Sequence, residues 1–242
     1  MRRIFSVIVA VLFSVGVAHG AYAQDILSMM YSPRPVASWT GVYIGGNIGY
    51  GWAHVDQSSL STLIPTGGAR PEGLVGGGQF GGNVQSGIGL FGFEGDFQAT
   101  AQENSFVTGG TFLGSPFTFS QNARTPWFGT ARLRAGIVAD GVLFYATGGL
   151  AFGEVRNDMT VLGSLTGTLH YSSVRMGWAG GGGIEALLSP NWSVKVEYLH
   201  YDLGSFSDNM IVTVGGVVFT TANLSTKINN DIVRVGVNYF FR

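Results

Sequence analysis

The chain has 242 residues, no cysteine, 39 glycines and 11% charged residues against 45% hydrophobic ones. Without cysteine there are no disulfides and no thiolate metal sites, and the apolar content excludes a disordered polar chain. A formal net charge of −1 offers no basic surplus for nucleic acid or another polyanion.

Arg2 and Arg3 precede the apolar run Ile4–Val17, and Ala21-Tyr22-Ala23 follows. A basic start, an apolar core too short to span a bilayer and an A-x-A site predict a secretory signal peptide over 1–23, cut before Gln24. The competing reading is a retained anchor helix. Residues 24–38, "QDILSMMYSPRPVAS", contain Pro33 and Pro35 and no periodicity. They read as a periplasmic lead-in.

Alternation begins at Trp39. Along "WTGVYIGGNIGYGWA" the even positions are Val42, Ile44, Gly46, Ile48, Tyr50 and Trp52, while the odd ones are small or polar. Such a segment is a strand with two unlike faces. The pattern recurs and predicts eight strands, near 40–53, 73–86, 89–99, 126–138, 143–153, 175–187, 192–202 and 231–241. Connections alternate between short turns (around 86–88, 139–142 and 189–191) and long loops (54–72, 100–125, 154–174 and 203–230). An even strand count, short turns at one end and long loops at the other predict an all-β fold over 39–242. This is an eight-stranded antiparallel up-and-down transmembrane β-barrel with periplasmic turns and four outer loops.

Charges and aromatics assign the faces. Glu94, Asp96, Arg132, Arg134, Glu185, Lys195, Glu197 and Arg234 share parity with the small and polar positions. The opposite parity carries Phe91, Phe93, Phe97, Leu133, Ile137, Val233 and Val235. A soluble barrel would bury that apolar face. A membrane barrel turns it to lipid and fills its lumen with the charges. Trp39, Trp52, Trp127, Trp178 and Trp192 all lie at or near predicted strand ends and read as interfacial aromatics, which favours the membrane form. Glycines on the polar face suit a crowded narrow interior.

The closing stretch "RVGVNYFF", with Gly236, Tyr239 and Phe241, resembles the C-terminal signal read by the outer-membrane assembly machinery. Arg242 follows where that signal usually ends. "GGGQFGGNVQSG", "FGFEGDF", "WFGTARLRAGI", "YATGGLAFG" and "NWSVKVEYLHYDLG", with the Trp39–Ala53 stretch, resemble small OmpA-type barrels of alphaproteobacteria, the outer-membrane immunogenic or porin-family proteins. The resemblance covers the chain from Trp39 onward. It implies a cell outer-membrane location in a Gram-negative bacterium and no established catalytic activity.

Four acidic and four basic lumen residues balance. A selective pore would carry an excess of one sign, whereas paired charge in a narrow barrel reads as a plug. The expected role is therefore structural and surface-interacting. The expected partners are outer-membrane lipid and lipopolysaccharide, the assembly machinery, and host or phage factors at the outer loops. The alternatives are a narrow porin-like channel, a surface binder of a small ligand such as hemin, and a lipid-modifying enzyme. No cofactor, metal or catalytic residue is predicted. "GIGLFG" at 87–92 brackets a turn and precedes an alternating strand, so it lacks the helix a nucleotide site requires. His54, His170 and His200 have no ligand spacing. His170 and Ser172 would share a face in a strand, but the glycines and threonines around them favour a plain loop, and no third, orienting group is apparent for a nucleophile and base.

Equal residue-number sums allow Glu94 to oppose Arg134 and Asp96 to oppose Arg132, and Glu185 to oppose Lys195. Opposite charges paired in this way support a ladder.

Overall fold

The computed structural model describes residues 38–59, 71–112, 114–163, 166–214 and 217–242. The expected signal peptide, 1–23, and lead-in residues 24–37 lie outside them, as does 60–70 of the first long connection. Ten strands follow in order. They are β1 (Gly41–Ser59), β2 (Glu72–Ser86), β3 (Gly89–Thr100), β4 (Glu103–Phe112), β5 (Ser115–Arg124), β6 (Trp127–Ala139), β7 (Val142–Gly163), β8 (Gly167–Leu187), β9 (Trp192–Val214) and β10 (Val217–Phe241). Eight of them close a ring in the order β1-β2-β3-β6-β7-β8-β9-β10, antiparallel throughout. Closure removes the sheet edges that lipid cannot solvate.

One end of the ring carries the short turns. Asp140 and Gly141 both take positive φ, 49° and 79°, which is the geometry of a two-residue hairpin turn matched to strand twist. β8 and β9 join through Leu188–Asn191, where the Leu188 N–H donates to the Trp192 carbonyl at 2.8 Å.

At the other end the strands run on. Three of the expected long loops, 100–125, 154–174 and 203–230, are mainly strand. Apolar alternation marks a strand with one face in lipid, and above the bilayer that signal fades although the backbone still pairs. β4 and β5 form a hairpin standing over β3 and β6. β4 meets β2 at Glu72↔Glu103, and β5 pairs with β7 from Arg124↔Arg156 to Phe117↔Gly163. The break between β5 and β6 contains Pro126, which has no N–H for a ladder.

Higher still the wall forks. The β8–β9 ladder ends at Trp178↔Asp202 and the β1–β2 ladder at Trp52↔Glu72. Beyond them β4-β5-β7-β8 and β9-β10-β1 continue as two separate sheets in the described ladders. Gly204 sits beside the fork at φ +79°, a left-handed conformation that suits glycine. Its N–H donates to Asp202 Oδ1 at 2.7 Å.

Glycine abundance has a packing cause. A Cβ on Gly81 would meet the Tyr43 Oη at 2.4 Å, and one on Gly183 would meet the Tyr145 Oη at 2.7 Å. Inside, each tyrosine lies over a bare strand. Outside, Phe80 covers Gly95 and Phe152 covers Gly129 in the same way. Aromatic cover of sheet glycines steadies otherwise unpacked backbone.

Candidate functional site

The outer surface of the ring is apolar. Ile48, Phe80, Phe93, Leu133, Phe144, Ile184 and Val196 all point outward and are exposed. Of the five tryptophans, Trp52, Trp127, Trp178 and Trp192 stand at the ends of this band on the outward parity. Trp39 does not. It is fully buried inside the barrel at the turn end, against Phe240 at 5.9 Å. Its parity with Tyr43, an inward residue, explains the placement: position near a strand end said nothing about which face it takes.

The eight charged residues singled out from sequence all point into the lumen, at 0–6% exposure. They form one connected network. The Arg132 guanidinium donates to Glu94 at 2.7 Å, Asp96 at 2.8 Å and Glu197 at 3.1 Å. Arg234 reaches Glu197 at 2.5 Å and Asp96 at 2.9 Å. Lys195 Nζ lies 2.7 Å from Glu94, and Arg134 donates to Glu185 at 2.6 Å. Paired and hydrogen-bonded charges are the form in which burial is tolerated.

The ladder register differs from the expected one on one strand pair. Glu185 stands opposite Lys195. On β3 and β6, however, Glu94 faces Arg132 rather than Arg134, and Asp96 faces Thr130 rather than Arg132. The slip is two residues, which keeps every side chain on its face. Asp96 and Arg132 still bond diagonally.

Sequence reasoning overlooked the neutral members. Tyr43 donates to Glu94 at 2.8 Å and Tyr145 to Glu197 at 3.0 Å. Thr130 donates to Asp96 at 2.7 Å, and Ser193 to Glu185 at 2.5 Å. An amide relay joins Asn47, Gln79, Asn238 and Glu185. Shared inward parity was the available signal for these residues.

Above the network lies an apolar storey: Val75, Phe128, Ala151, Val155, Ala179, Leu199, Tyr201, Leu203 and Ile232. Phe128 and Tyr201 rings meet at 4.7 Å. Below the network, Trp39, Tyr43 and Phe240 fill the turn end.

The outer rim carries polar clusters on the outward face. Trp127 Nε1 donates to Glu154 at 2.9 Å, Arg156 Nε to the same carboxylate at 2.7 Å, and Ser172 Oγ at 2.8 Å. The Arg156 bond leads these in holding the Glu154 carboxyl at about 2, well below its ordinary range. His170 lies against Asp158, and His200 Nδ1 is 2.8 Å from Asp231. The His54 side chain lies outside the described ones. At the final strand, Tyr239 packs on Trp192 at 5.1 Å and on Phe241 at 5.2 Å, while Gly236 lies inward beside Asn47 and Gln79.

A closed antiparallel barrel, apolar outside and salt-bridged within, with an aromatic boundary, is an outer-membrane barrel. The chain belongs to the outer membrane protein beta-barrel domain family, matched over residues 7–241. It is similar to the 31 kDa outer-membrane immunogenic protein of Brucella melitensis biotype 1, with 32% identity over 257 residues and 100% of both chains covered. The 25 kDa outer-membrane immunogenic protein of Brucella abortus biovar 1 is 25% identical over 247 residues, again covering 100% of both. Among solved structures, Neisserial surface protein A aligns with 84% of this chain and 98% of its own, at 13% identity and a TM-score of 0.37. The protein is therefore an OmpA-like member of the outer-membrane immunogenic group and resides in the cell outer membrane.

Proposed function

We propose that this protein is a plugged, non-conducting barrel, serving envelope integrity and presenting its outer sheets at the cell surface. The lumen supports this reading. Its charges balance, each is held by partners of opposite sign, and a cluster of buried apolar residues stands above them. A solute path would require several of these bonds to part together, and a selective pore would show one sign in excess. Planar-bilayer recording of the refolded protein tests the proposal. Current should stay at the bilayer baseline; regular steps of constant size would establish the narrow channel instead.

The same reading assigns no enzymatic role. His170 and Ser172 address different carboxylates, Asp158 and Glu154, rather than each other. A base and nucleophile must meet to act. Its partners are then outer-leaflet lipid and lipopolysaccharide at the apolar band and rim. The assembly machinery would read Gly236, Tyr239 and Phe241, and host or phage factors would meet the outer sheets.

A further inference from the structure

One seam of the ring differs from all others. β1 and β10 pair Val42 with Phe241, the two ends of the barrel sequence. Other ring pairings join strands that follow one another, with only the β4–β5 hairpin inserted between β3 and β6. Joining distant segments carries the largest loop-closure cost and is the last contact a meander can make.

Phe240 sits at the turn end of that seam and is held from every side. Its ring meets Trp39 at 5.9 Å, Tyr43 at 5.1 Å and the Arg242 guanidinium at 4.9 Å. Its backbone is clamped by Asn191, whose carbonyl accepts the Phe240 N–H and whose Nδ2 donates to the Phe240 carbonyl, both at 2.8 Å. Trp39 is tied in the other direction, its N–H donating to Gln85 Oε1 on β2 at 2.9 Å. The Trp39–Phe240 contact thus spans β2, β1 and β10, and through Asn191 the β8–β9 turn.

We infer that Trp39 and Phe240 form a closure latch. It engages only when the last strand reaches the first, and it then holds the periplasmic end of the seam shut. The inference divides labour along "NYFF": Tyr239 and Phe241 face lipid, where incoming factors can reach them, while Phe240 faces the lumen and locks the finished barrel. Aromatic pairs and a cation over a ring each add to plain burial.

Hydrogen exchange with mass spectrometry on the mature protein refolded in detergent tests the latch. Phe240→Ala and Trp39→Ala should raise exchange at the β1 amides near 42–46 and the β10 amides near 237–241 by about tenfold or more, as a local opening does. Amides of β6 and β7 should keep wild-type rates. Leu143→Ala, an equally buried side chain on β7, should show the reverse. If either latch variant fails to give the heat-modifiable folded band, Trp39→Phe and Phe240→Leu replace it. The first keeps a ring and should protect the seam; the second keeps bulk without a ring and should not. A uniform rise across all strands, or an unchanged seam in the variants without the ring pair, would overturn the latch.

Discussion

Arg132→Met removes the most heavily bonded guanidinium of the lumen. Three carboxylates lose a partner, but none is stranded: Glu94 keeps Lys195 at 2.7 Å, and Asp96 and Glu197 keep Arg234 at 2.9 and 2.5 Å. What remains is a buried cluster with one uncompensated negative charge. Breaking a buried pair on one side costs about 3–5 kcal/mol, and the surviving partners place this variant toward the lower figure. Asp96→Asn added to Arg132→Met restores neutrality and leaves Arg234 bonded to Glu197. The double variant should therefore be more stable than the sum of the singles by about 1–3 kcal/mol, the coupling expected of residues in one network. The assay is urea unfolding in detergent, read as the fraction of heat-modifiable folded band. Additivity within about 0.5 kcal/mol would refute the network account, as would an Arg132→Met cost under about 1 kcal/mol, the level of an exposed ion pair.

Leu133 points to lipid and Thr130 to the lumen. Leu133→Arg should cost about 2–4 kcal/mol near mid-bilayer, whereas Thr130→Arg should fail by crowding Asp96; in the same unfolding assay, normal assembly of Leu133→Arg would invert the faces. Gly183→Ala would place a Cβ 2.5 Å from the Val196 carbonyl and 2.7 Å from the Tyr145 Oη, an overpacking expected to lower stability by about 1–3 kcal/mol. Glu154, held at about 2 by Arg156, Ser172 and Trp127, has a folded value below its unfolded one. Its support of the rim is full above the ordinary carboxyl range and is lost as pH falls toward 2. Carbon-13 titration of that carboxyl should show a midpoint near 2, and an ordinary midpoint would dismiss the cluster.

Parity carried most of the fold. Each strand with one face in lipid alternates sharply, so Phe91, Phe93 and Phe97 separate from Glu94 and Asp96 without ambiguity. Register was less accessible. Charges two apart on both β3 and β6 let either of two alignments match opposite signs, and face parity cannot choose between registers two residues apart. Trp39 was misplaced because its closeness to a strand end was weighed above its parity with Tyr43. The outer extensions escaped notice for a physical reason: outside lipid the outward face turns polar, as at Glu154, Arg156 and Asp158, while Val155, Met159 and Val161 turn inward, so the apolar-outward parity that marked the other strands no longer holds. The latch pair was visible only as unrelated residues, since almost the whole barrel sequence separates them.

The fork in the wall bears on how such a surface can change over generations. No ladder in the described residues ties β9 above Asp202 to β8, or β1 above Trp52 to β2. Lengthening, shortening or rewriting the tip between β9 and β10 therefore alters one upright sheet and leaves the register of the other untouched. None of these edits reaches the salt-bridged floor below the apolar storey. Two independently editable faces on one fixed anchor let the outer sheets vary without renegotiating how the barrel is built.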